Sequence, residues 1–255
     1  MFASPILRQS LRPAFRPNAV ETDGSSHIYT LGEGDASTVL LGQMSGFFYV
    51  KPTYTGDVQY LFSQIFASGQ TLYIYLDKGG QMHFGFTNAA TEAYEMQSGE
   101  DITFGSWNSV FFALDSTGDN FHACSINGGA NAYTYGGAAV SEFGTNIYDV
   151  GVGDVAWAVP SGNGLVGGLS QFWLNAYSAS GFGEDNYYPQ GFYTLAIGYP
   201  RNLGELGNAT GLDKPSFYFP NDADYFSINN GQALPSVFAV AGGFTNTSPP
   251  TGYLS

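Results

Sequence analysis

The run Thr103–Gly128, TFGSWNSVFFALDSTGDNFHACSING, constrains the fold more than any other stretch, because it writes two strands and two reversals in succession. In its first arm Val110, Phe112 and Leu114 fall on one face and Phe111, Ala113 and Asp115 on the other. That is the period of two a strand imposes on its side chains. Ser116-Thr117-Gly118-Asp119 then supplies the small residues a tight reversal needs. The returning arm, Phe121–Ile126, ends at Asn127-Gly128-Gly129, a second turn signal.

Composition extends this reading to the whole chain. Of 255 residues, 44% are hydrophobic and 16% aromatic, enough to bury a full core, whereas 11% are charged and 35 are glycine. Few charges with many glycines suit strands joined by tight turns, since exposed helix faces draw on Glu and Lys. The chain is predicted to be all-β, with length for one large sandwich or two small domains. A net charge of −14 excludes nucleic acid as a partner, because phosphate binding needs a basic surface. The single Cys124 falls in an alternating strand and reads as a small buried apolar residue; it can form no disulfide within the chain. The start MFASPILRQS lacks the apolar core of an export signal, and no window approaches the roughly 18 apolar residues of a membrane span. The expectation is a protein made in a cytoplasm, with no membrane span.

Charge is unevenly placed. Arg8, Arg12 and Arg16 are three of the seven basic residues, and no acidic residue precedes Glu21, so a cationic arm over residues 1–19 leads into an anionic body. Pro5, Pro13 and Pro17 restrict any helix there to one or two turns. The three arginines are candidates for anchoring on an acidic partner or a neighbouring subunit. The alternative is a basic tail that lies on its own acidic domain or has no fixed structure.

From Val20 onward the text is strand-like. His27–Thr30 and Val39-Leu40-Leu41 are short strand signals; Met44, Gly46, Phe48 and Val50 then alternate with Ser45, Phe47, Tyr49 and Lys51 up to Pro52. Tyr60–Phe66 reads as a strand. Leu72–Leu76 follows, with aliphatics on one face and tyrosines on the other, then a hairpin turn at Asp77-Lys78-Gly79-Gly80 and a return that points Met82, Phe84 and Phe86 inward. Asn131–Gly153 reads as loop plus an edge strand. Gly151–Ala156 fits G-x-G-x-x-A on paper, but it runs into Trp157-Ala158-Val159-Pro160 where a dinucleotide site needs a helix.

Several of these segments carry a family pattern. Trp107, then Val110, Phe112, Leu114 and Asp115, a turn at Gly118, and a return through Ile126, Asn127 and Gly128 resemble the central hairpin of laminin-G-like, concanavalin A-like jelly rolls. The run from Tyr49 to Thr53 and the meander through Leu76-Asp77, Gly79-Gly80 and Phe84-Gly85 resemble the same pattern, as does Leu165–Leu174 for the final sheet strand. Further on come Asn202-Leu203-Gly204, Gly207–Gly211, Lys214-Pro215 before Phe217-Tyr218-Phe219, Asp222-Ala223, Asn229-Asn230-Gly231, Phe238–Gly242 and Ser248-Pro249. That order resembles the C-terminal extension of laminin-G-like proteins of tailed bacteriophages. The resemblance covers roughly residues 20 to 255 in pieces and leaves the basic arm unmatched. It implies a two-sheet antiparallel jelly-roll sandwich over residues 20–179, with a loop-rich extension, residues 180–255, packed on it. It further implies a non-enzymatic virion protein made in the host cytoplasm: a head decoration, a fibre or a tail-associated component. Its expected partners are other virion proteins or arrayed copies of itself, joined through the arm or the extension.

Little in the sequence argues for catalysis. Glycanases on such sandwiches need an acid and a nucleophile or base ~5 to 10 Å apart; the Glu-x-Asp at Glu33-Gly34-Asp35 sits among glycines in a turn. His27, His83 and His122 fall on separate strands with no metal-like spacing. Calcium at a loop rim has three candidate clusters: Asp115 with Asp119 and Asn120, Glu184 with Asp185 and Asn186, and Asp222 with Asp224; none has a defining spacing. Tyr133, Tyr135, Tyr187 and Tyr188 sit in Gly/Asn-rich stretches read as loops, where flat rings could stack on sugar or pack on a protein neighbour. The competing reading is therefore a carbohydrate-binding module or lectin for host-surface glycans; a glycanase is disfavoured for want of paired carboxylates.

Overall fold

Alternation along each strand decides which way its side chains point, and pairing then builds the layers. In a computed structural model, the chain is described at residues 19–25, 27–30, 43–66, 71–87, 93–115, 122–130, 132–137, 147–152, 163–175, 203, 217–219, 238–241, 245–248 and 250. Among these residues fifteen strands, numbered in chain order, form two sheets with antiparallel strand pairing. One sheet runs β15 (Thr245–Thr247), β1 (Ala19–Asp23), β12 (Val166–Asn175), β3 (Gln43–Pro52), β8 (Asn108–Asp115) and β9 (Ala123–Ile126). Beside β1, β13 (Phe217–Phe219) continues along the same edge of β12. The other sheet runs β10 (Tyr133–Gly137), β7 (Ala93–Ser98), β6 (Met82–Thr87), β5 (Thr71–Leu76), β4 (Gln59–Phe66), β11 (Ile147–Val152), β2 (His27–Thr30) and β14 (Phe238–Ala241). The fold is an all-β, two-sheet jelly-roll sandwich. No helix among the described residues is long and apolar enough to cross a membrane.

The predicted central hairpin is present: β8 pairs with β9, Val110 opposite Ile126 and Phe112 opposite Cys124. Asn127 and Gly128 take φ of 55° and 68°, the left-handed pair that a tight turn needs, and the Gly129 N–H closes it onto Ile126 O at 2.9 Å. Val39-Leu40-Leu41 and most of Gly151–Ala156 lie outside the described residues.

Between the sheets, Phe48, Val50, Phe112, Leu114, Leu169 and Phe172 from one layer meet Phe62, Leu72, Ile74, Leu76, Met82, Phe84 and Phe86 from the other. Phe84 stacks on Phe112 with ring centroids 4.1 Å apart, and Phe172 lies against both Phe48 and Phe62. Cys124 is buried in this core, where burial pushes its thiol pKa up and removes it as a nucleophile. Gln59 ties the layers at one end, donating to Thr53 O and accepting from the Val166 N–H at 2.9 Å.

The two outer faces differ. On the seven-stranded sheet Phe47, Tyr49, Phe111, Ala113, Ala123 and Trp173 form a second buried cluster, and Leu203 from the C-terminal region lies in it. At β12 the register with β3 shifts between Ser170 and Trp173, and Gln171 adopts φ 47°. There its Oε1 accepts the Leu203 N–H at 2.9 Å. This sheet is therefore apolar on both sides, which is why β3 carries the unbroken run GFFYV instead of an alternation. Strands β13, β14 and β15 bring Phe217–Phe219, Phe238–Ala241 and Thr245–Thr247 into the two sheets.

Candidate functional site

The outer face of the eight-stranded sheet follows from register. Strand β5 reads Leu72, Ile74 and Leu76 inward and Tyr73 and Tyr75 outward; β6 turns His83 and Gly85 outward, and β7 turns Glu95 and Gln97 outward. Two cross-strand rows result. Tyr60, Tyr75, His83 and Gln97 lie side by side, ending at Thr134 of β10; one step along, Ser63, Tyr73, Gly85 and Glu95 do the same.

Glu95 is the centre of the arrangement. Its Oε2 accepts from the hydroxyls of Tyr73 at 2.9 Å and Tyr75 at 3.3 Å. Its Oε1 meets His83 Nδ1 at 2.9 Å and accepts from Gln97 Nε2 at 3.2 Å. Burial alone would raise the Glu95 pKa, but the hydrogen bonds from His83, Gln97 and Tyr73, with the charge of His83, outweigh it and hold the carboxyl at about 2. Burial first, and then the Glu95 charge, push the Tyr73 and Tyr75 phenols up, and Tyr60 shifts the same way for the same causes. The patch therefore stays one carboxylate among neutral phenols.

His83 is held on three sides. Its ring stacks on Tyr75, centroids 4.3 Å apart and planes 10° from parallel. Because an ionised carboxylate only accepts, Nδ1 must carry a proton toward Glu95. Its Nε2 is buried without a hydrogen-bond partner, 3.6 Å from Asp77 Oδ2. Asp77 is fixed in its turn, where Oδ1 accepts the N–H groups of Gly79, Gly80 and Gln81. Tyr60 and Tyr73 lie against Tyr75 at 5.4 and 5.6 Å. The face is thus a half-buried platform of three phenol rings and an imidazole, locked from below by one carboxylate.

The tyrosines singled out in the sequence take a different place. Tyr133 and Tyr135 were expected in a loop; they lie instead on strand β10, Tyr133 opposite Ser98 and Tyr135 opposite Met96. The reason is that β7 offers an open edge, and Tyr-Thr-Tyr alternates well enough to pair with it. Both rings reach the rim between the sheets, where His122 stacks on Tyr135 at 4.3 Å and 8° and its Nε2 meets the Tyr94 hydroxyl. Tyr135 is 54% exposed. Arg8, Arg12, Arg16, Tyr187 and Tyr188 lie outside the described residues, as do Asp119, Asn120, Glu184, Asp185, Asn186, Asp222, Asp224, Glu33 and Asp35. Among the described residues no three of His, Cys, Asp and Glu come together to hold a metal.

What the sequence reading missed was β7, and with it Glu95 and Gln97. The signal was present: Tyr94-Glu95-Met96-Gln97 alternates apolar with polar.

No protein-family model and no curated protein matches the sequence. Solved structures do share its fold. A heptameric SAP-like pentraxin from Limulus polyphemus aligns over 91% of this chain and 95% of its own, at 12% identity and a TM-score of 0.52. A Bacteroides ovatus protein proposed to bind carbohydrate aligns over 92% of this chain and 60% of its own, at 8% identity and a TM-score of 0.54. The LG1-3 region of the laminin α2 chain aligns over 63% and 31%, at 10% identity and a TM-score of 0.47. At these identities the likeness shows the fold alone, and that fold is the two-sheet antiparallel jelly roll.

Proposed function

We propose that this protein is a non-catalytic, lectin-like glycan-binding module, and that the outer face of β5, β6 and β7 is its contact surface. The observation that carries the reading is the Glu95 network. Four hydrogen bonds and a ring stack hold Tyr73, Tyr75 and His83 in fixed positions on a half-exposed face. Flat rings fixed in advance suit pyranose rings, because little side-chain freedom is lost on binding. The fold shared with the Bacteroides ovatus protein supports the same class.

The network suits binding better than hydrolysis. A general acid needs a raised pKa, whereas Glu95 is held low and its acceptor positions are filled by the protein itself. A glycan array with the full chain, followed by calorimetric titration of the strongest binders, tests the reading. Saturable binding that Tyr75→Ala removes, without release of shortened sugars, is the expected result; hydrolysis products would transfer the protein to the glycanases, and no binding would overturn the reading.

A second reading is kept for the protein's setting. The order of motifs after Ser180 resembles the extension of phage-encoded laminin-G-like proteins, and on that sequence resemblance we place the module on a virion, exposed to host glycans and joined to other virion proteins. Co-sedimentation with intact particles through a density gradient, washed at low and high salt, tests this setting. Absence from particles would leave a free binding module.

A further inference from the structure

We propose that the β5–β7 face takes uncharged or amine-bearing sugars and rejects glycans that carry carboxylate or sulfate; the proposal rests on the glycan-binding reading and narrows it to a ligand class. The argument is one of hydrogen-bond direction. The hydroxyls of Tyr73 and Tyr75, Nδ1 of His83 and one of the two amide hydrogens of Gln97 turn inward to Glu95. What these groups leave for a ligand is lone pairs on the two phenol oxygens and on Oε1 of Gln97, against a single remaining amide hydrogen on Gln97 Nε2.

Asp77 adds to the same sign. With Oδ1 committed to the Gly79, Gly80 and Gln81 N–H groups, Oδ2 stands 3.6 Å from the buried Nε2 of His83. Oδ2 is thus a second carboxylate oxygen at the edge of the platform, whose lone pairs suit a sugar hydroxyl or ammonium hydrogen. Thr134, at the end of the row, is a hydroxyl that turns either way. Lys78 is the one Lys or Arg between Gln59 and Ser98, and it is exposed in the turn. An anionic group arriving here meets acceptors and two carboxylates in a chain of net charge −14, whereas a polyol or an amine meets partners for its hydrogens.

The test uses the full chain on an array in which each backbone is present as neutral, amine-bearing, and carboxylate- or sulfate-bearing members, repeated in solution by titration at low ionic strength. The expected result is binding confined to neutral or amine-bearing members, each weakened at least tenfold by an added carboxylate or sulfate. Glu95→Gln, which removes the charge and adds a donor, should narrow that gap. Anionic members bound as tightly as their neutral counterparts, or more tightly, would overturn the selectivity and leave glycan binding standing. No binding to any member would overturn both.

Discussion

The hydroxyl of Tyr73 lies 2.9 Å from Glu95 Oε2 although a whole strand, β6, runs between their own two strands. The residue paired with both is Gly85, so the tyrosine ring crosses bare backbone to reach its acceptor. A Cβ at Gly85 would stand 2.5 Å from the Tyr73 hydroxyl oxygen. The absence of one methyl group therefore sets the geometry of the platform.

Gly85→Ala should push the Tyr73 ring off Glu95 at an overpacking cost of about 1–3 kcal/mol. Glycan affinity is expected to fall at least tenfold while the variant still unfolds cooperatively. Calorimetry beside denaturant unfolding checks both, and unchanged affinity would remove Tyr73 from the contact surface.

Acid sensitivity should trace to Glu95. Its folded pKa of about 2 lies below the reference 4.5, so its contribution to stability is complete above pH 4.5 and is lost as pH falls toward 2. Glu95→Gln should flatten that part of the stability curve, read as denaturant midpoints between neutral pH and pH 3. The phenols have the opposite sense: raised above 10.0, they contribute stability that is present below pH 10 and lost as pH rises past it. Tyr73→Phe should weaken the alkaline loss.

At the bulge of β12, Gln171→Ala leaves the buried Leu203 N–H without its acceptor, a cost of about 1–3 kcal/mol. Gln171→Gly loses the same bond but accommodates φ 47° without a Cβ, so it should be less destabilising than Ala by about 1 kcal/mol. Chemical denaturation of the pair separates the two effects; equal losses would mean that the left-handed backbone carries no strain.

The sheet face and the rim make different demands on Tyr135. One side of its ring is covered by His122, and it pairs with the inward-facing Met96, on the opposite side of the sheet from Glu95. Tyr135→Ala is expected to leave glycan affinity within twofold, against at least tenfold loss for Tyr75→Ala. The reverse order in titration would move the contact surface to the rim.

If the arginine arm anchors the protein, removal of residues 1–18 should leave a folded, glycan-binding domain that no longer joins particles. Unchanged incorporation would assign attachment to another part of the chain.

The inward half of this structure was legible because period two is a local signal. Leu72, Ile74 and Leu76, then Met82, Phe84 and Phe86, announce the core on their own, and the hairpin of β8 and β9 is written with its turns. The platform was not legible, because it depends on register between strands. Nothing near Tyr73 marks Glu95, 22 residues later, as its acceptor; the pairing exists only once β6 places Gly85 between them. Strand β7 is as long as β5 and β6 and alternates as they do, but its outward positions, Glu95 and Gln97, carry polar groups such as any half-exposed strand shows, and nothing local marks them as a site. Tyr133 and Tyr135 misled in the other direction, since flanking glycines signal turns until an open edge makes them a strand.

Strands β14 and β15 pair with β2 and β1, so segments far apart in the chain complete one another. During synthesis β1 and β2 therefore wait with unsatisfied backbone edges until residues 238–247 have left the ribosome. Sheets closed by contacts this distant in sequence form slowly, and the waiting edges can meet other chains before their own. A stop codon before residue 238 consequently strips an edge strand from each sheet and leaves a nascent product to the cell's chaperones and proteases.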